Sequence, residues 1–88
     1  MVDWIKALYK RMRPFMDSNT ASATDRCVDW GEYMEVLAQS VDTGLSHGLL
    51  TGDDRSCALD IIDRSSYFRK WRDGYRAALT HERELVAA

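Results

Sequence analysis

The stretch SYFRKWRDGYRAALTHEREL, residues 66–85, is the run around which the rest of the chain reads. At 100° per residue, Phe68, Trp71, Tyr75, Ala78, Leu79, Leu85 and Val86 fall within roughly a third of a helical wheel, making a wide apolar face. Arg69, Arg72, Arg76 and Arg83 project within roughly 60° of one another along one edge of that face. The period predicts a long C-terminal helix. Its ring face reads as core or as a dimer seam, bordered by arginines whose stems cover apolar surface. The guanidinium edge is left for a partner.

Continuing this helix back into residues 51–64 would rotate the stripe of Cys57, Ala58, Ile61 and Ile62 away from Trp71 and bring Arg64 to the aromatic side. A break at Ser65 or Ser66 is therefore expected, with a hydroxyl as cap. Thr51 and Asp54 resemble a capping box with Asp in place of Glu, and Asp53 and Asp54 suit the positive end of a helix dipole. Before them, Gly44, Gly48 and Gly52 predict a helix end near Gly44 or Gly48 with a left-handed cap. The helix that ends there reads as a long central one, capped by Thr24 or Asp25, in which Cys27, Trp30, Met34, Leu37, Val41 and Leu45 recur at threes and fours. Its opposite side carries an acidic stripe of Asp25, Asp29, Glu32 and Glu35. Residues 17–23, DSNTASA, read as a loop. At the start of the chain, Trp4, Ile5, Leu8, Tyr9 and Met12 give an amphipathic helix that Pro14 should end or kink.

Eighty-eight residues, 45% of them apolar, suffice for one modest core. A lone proline, few glycines and no long alternating β-branched runs favour helices over a sheet. The expectation is a single all-α domain over residues 1–88, a small bundle of about four helices. The net charge of −2 divides unevenly, with +3 over residues 1–16, −8 over 17–63 and +3 over 64–88. Such segregation suits either internal pairing of solvated faces or one face presented to a charged partner. Charges interrupt the first segment as they would not in a signal peptide, and no apolar run is long enough to span a bilayer. The basic first helix could lie on a membrane surface, but an ordinary core helix has the same pattern. The expected compartment is the cytoplasm, with Cys27 and Cys57 reduced.

The chain contains no phosphate-cradling glycine loop, nucleophile elbow or HExxH pair. Cys27, Cys57, His47 and His81 lie too far apart in sequence for a short-spaced metal site, so neither metal nor cofactor is expected. Both cysteines read as small buried thiols on apolar faces. His47 reads as a loop hydrogen-bonder, and the DDRS stretch lacks the ligand alternation of an EF-hand. Gly74, inside a helical run, reads as a point of close approach for another helix, either of the same chain or of a second subunit in a homodimer.

The favoured expectation is a non-enzymatic protein-binding module, a regulator or inhibitor of a larger partner that acts through charged helix faces. Small acidic helical factors of mobile elements are an analogue in size and class, with no motif behind the comparison. Interfaces are usually anchored by arginine and aromatic side chains, so Arg69, Arg72, Arg76, Arg83, Trp71 and Tyr75 are the first candidates. Asp25, Asp29, Glu32 and Glu35 are the second. The alternative is binding of RNA or single strands by the interleaved rings and arginines of FRKWRDGYR. Duplex DNA is disfavoured because the third helix opens with Asp53 and Asp54.

Overall fold

In the computed structural model, residues 1–80 are described in full and residues 81–87 as helix backbone. The chain is all-α: α1 (Val2–Met12), α2 (Ser18–Asp29), α3 (Tyr33–His47), α4 (Gly52–Arg64) and α5 (Arg72–Ala87), with 3-10 turns at Arg13–Phe15 and Ser66–Phe68. The helices run from 11 to 16 residues. The expected long central helix is thus two helices, the long C-terminal one begins only at Arg72, and five helices replace four. Among the described residues, no helix is long and apolar enough to cross a membrane. By internal contacts the chain forms two compact units, Met1–Leu49 and Leu50–Ala88.

In the first unit α3 is the helix on which both others pack. Ile5, Leu8, Tyr9 and Met12 of α1 are buried, as are Val36, Leu37, Ala38 and Val41 of α3. Each fully buried aliphatic side chain contributes about 1.5–3 kcal/mol, so this α1–α3 seam is the main source of stability there. The hydroxyls of buried Thr24 and Ser40 donate to the carbonyls of Thr20 and Val36, each at 2.7 Å, so neither is left unsatisfied. Asp17 caps α2 by accepting from the backbone N–H of Thr20 at 2.7 Å. The stretch expected to be a loop is therefore the first part of a helix, because Asp17 is the cap that Thr24 or Asp25 was expected to be.

Gly31 ends α2. With φ +73 it occupies the left-handed region, and the backbone N–H of Glu32 reaches the Cys27 carbonyl at 2.9 Å while that of Gly31 reaches Val28 at 3.2 Å. This is the paired hydrogen-bond pattern of a glycine-terminated helix. Gly48, at φ +64, ends α3 in the same manner, with Leu49 N–H to Gly44 at 2.9 Å.

The second unit begins with the expected capping box: Asp54 N–H donates to Thr51 Oγ1, and Thr51 N–H to Asp54 Oδ2, both at 3.0 Å. Leu50, Ala58, Ile62, Phe68 and Leu79 form its core. The break expected at Ser65 is present, its hydroxyl accepting from Tyr67 N–H at 3.2 Å to start the 3-10 turn. Cys57 is exposed and Cys27 only half-buried, contrary to the expectation of two buried thiols. Ala58 and Ile62 define the inner face of α4, and Cys57 lies about 100° round the helix from Ala58.

Candidate interaction surface

The basic edge predicted for α5 is divided by its contacts. Arg72 is half-buried and donates from Nε to the Ile62 carbonyl at 3.3 Å and from Nη2 to Ser65 at 3.1 Å, so it satisfies the open C-terminal end of α4. Arg76 pairs with Asp63 at 2.6 Å, and that hydrogen bond raises its pKa. Arg64 pairs with Asp60 at 3.1 Å. Arg55 is buried, with Nη1 donating to the Leu50 carbonyl at 2.7 Å. Arg69 and Lys70 are exposed and make no ion pair among the described residues. The Arg83 side chain lies outside the described residues, as do those of His81, Leu85 and Val86.

The ring face divides as well. Phe68 and Leu79 are fully buried, and Tyr75, half-buried, meets the Phe68 ring edge-on with centroids 5.5 Å apart. Trp71 is 55% exposed and Tyr67 41% exposed. Their centroids are 6.2 Å apart, and Tyr67 also packs edge-on against Phe68. The reason is backbone geometry: residues 66–71 form a 3-10 turn and a further turn, so a wheel drawn through them at 100° assigns Trp71 to the wrong side. A surface knob results, with two rings and two cations on consecutive turns.

The acidic stripe is not one helix face. Asp25 and Asp29 belong to α2, Glu32 to the following turn and Glu35 to the first turn of α3. Asp25 is held by Arg13, whose Nε and Nη2 donate to its two oxygens at 3.1 and 2.7 Å. The buried Tyr9 hydroxyl shares its proton between Asp25 and the Ala21 carbonyl. Arg13 first, then Tyr9, hold the Asp25 carboxyl down at about 2. Burial, followed by the Asp25 hydrogen bond, pushes the Tyr9 phenol up to about 12. Glu35 accepts from Gln39 at 3.1 Å and lines a shallow groove of about 240 Å³ between α2 and α3. Cys27 lines the same groove, where burial first and Glu32 second push its thiol pKa up, away from a reactive thiolate. Asp29 and Glu32 are exposed.

No protein-family model, curated protein or solved structure matches this chain. The reading of function therefore rests on the chain's own surfaces. Sequence reasoning passed over Tyr67 as an exposed ring, and also Trp30, which is 73% exposed beside Gly31. The available signals were the Ser65 cap, which resets the helical phase before Tyr67, and Gly31, which interrupts it after Trp30. His47 closes α3, donating from Nδ1 to the Thr43 carbonyl at 3.0 Å with its ring near Phe15. No group of three His, Cys, Asp or Glu among the described residues could hold a metal ion.

Proposed function

We propose that this chain is a non-enzymatic protein-binding module that regulates or inhibits a larger partner, docking through residues 66–71. The observation that carries the reading is the paired exposure of Tyr67 and Trp71 beside Arg69 and Lys70. Large rigid rings release much apolar area from water at little entropic cost, and tryptophan, tyrosine and arginine anchor most interfaces for that reason. The rings are also seated firmly, since Tyr67 leans on the buried Phe68.

Binding of RNA or single strands is the second reading, favoured by the same alternation of rings and cations. Against it, Arg72 and Arg76 are engaged by α4. A groove that follows a phosphate backbone uses many cations. The two readings separate in one experiment, in which the chain and its Trp71→Ala variant capture partners from the native host at increasing salt. The expected result is a captured protein whose binding weakens at least roughly 10-fold in the variant and persists at high salt. Capture indifferent to Trp71, or nucleic acid retained only at low salt and lost on Arg69→Glu with Lys70→Glu, would overturn the proposal.

A further inference from the structure

We infer that the partner segment seated on residues 66–71 is acidic. The inference rests on the protein-binding reading above and adds the chemistry of what is bound. Arg69 and Lys70 are exposed and lie between Tyr67 and Trp71 in the same turn, so a segment that spans the turn meets the cations as well as the rings. Covering a cation removes its hydration, and that loss is offset only where an opposite charge meets it. No described carboxylate of the second unit pairs with Arg69 or Lys70. Asp54 closes the capping box, Asp60 pairs with Arg64, Asp63 pairs with Arg76, and Asp73 in the first turn of α5 acts on Arg76. Neither Arg69 nor Lys70 has an ion-pair partner among the described residues. A neutral or basic segment would leave both cations desolvated and unmatched, whereas an acidic one pairs them while its apolar side chains rest on the rings.

The same count argues against a nucleic acid as occupant. Of the cations of this unit whose side chains are described, Arg55 is buried, Arg64 and Arg76 are paired and Arg72 caps α4. Two remaining cations match a short acidic peptide and fall well below the roughly six to ten phosphate contacts behind strongly salt-dependent nucleic-acid binding.

The test follows backbone amide shifts of the full chain as three probes are added: a peptide of leucines flanked by glutamates, the same peptide with glutamine for every glutamate, and oligouridine. The glutamate peptide should move the amides of residues 67–71 in a saturable way and bind at least ten-fold more tightly than the glutamine peptide. Arg69→Glu with Lys70→Glu, both surface changes, should abolish that preference with helix content unchanged. Equal binding of the two peptides would overturn the acidic assignment and leave the protein-binding reading intact. Tighter binding of oligouridine than of the glutamate peptide would overturn both. Concentration-dependent shifts at these amides without any probe would assign the surface to a second copy of the chain, and no shift with any probe at millimolar concentration would likewise sink the inference.

Discussion

Tyr9 with Arg13 in the first unit, and Tyr67 with Arg69 in the second, bring together the same two side-chain chemistries with opposite results. In the first, the tyrosine is buried and both groups converge on Asp25, so α1 and α2 are locked at their junction. In the second, the tyrosine is exposed and Arg69 meets no carboxylate among the described residues. The difference lies in the placement of one acidic residue, not in the tyrosine or the arginine. A Tyr/Arg motif becomes internal fastening where the fold supplies the anion and a docking surface where it does not.

The sharpest way to break this comparison is to truncate two neighbouring rings of the second unit. Phe68→Ala removes a fully buried ring and should cost about 3–5 kcal/mol in denaturant unfolding. Trp71→Ala removes a larger ring that is mostly exposed and should stay within about 0.5 kcal/mol. Similar losses for the two variants would mean that Trp71 is core and that the knob does not exist.

Gly31→Ala comes next in size. A Cβ there would sit 3.9 Å from the Tyr33 ring, an ordinary contact, so the whole effect should come from forcing a side chain into the left-handed region at φ +73. That costs roughly 1–2 kcal/mol, read as a fall in unfolding midpoint. An unchanged midpoint would imply that α2 and α3 join differently from the glycine-terminated turn described above.

That same glycine explains where the sequence was legible and where it was not. Signals carried by adjacent residues read correctly: the Thr51–Asp54 capping box, the Ser65 break, the left-handed end at Gly48 and the end of α1 before Pro14. Apolar spacing across a break misled, because Cys27, Trp30 and Met34 keep spacings of three and four whether or not the helix between them is continuous. The site was less legible than the fold. Arg72, Arg76 and Asp25 look like free surface in a linear reading, and only folding brings them to Ile62, Asp63 and Arg13.

The first unit's fastening is tested by pH. Tyr9→Phe should cost about 1 kcal/mol, the net worth of an internal hydrogen bond. Asp25 has its carboxyl lowered from 3.8 to about 2 in the folded chain, so it takes up its proton less readily there than when unfolded. Its stabilising contribution is therefore complete above about pH 4 and lost as the pH falls toward 2. Asp25→Asn should lower the melting temperature at neutral pH and make the decline over that acid range shallower than in the parent chain. Parallel acid limbs would separate Asp25 from the stability of this junction.

Gly74→Ala carries the smallest expected effect, and its sign is informative. Unlike Gly31, Gly74 has no left-handed backbone to protect, and a Cβ built on it meets nothing within 4 Å among the described residues. Alanine at an exposed helical position loses less backbone freedom on folding than glycine, so the variant should be more stable by about 0.5–1 kcal/mol. A close-packed seam at this position, as a homodimer using the α5 face would need, predicts the opposite sign, with destabilisation that grows as the protein is concentrated. Measuring the midpoint at two protein concentrations therefore decides whether the α5 surface around Gly74 stands open to solvent or is held by a second chain.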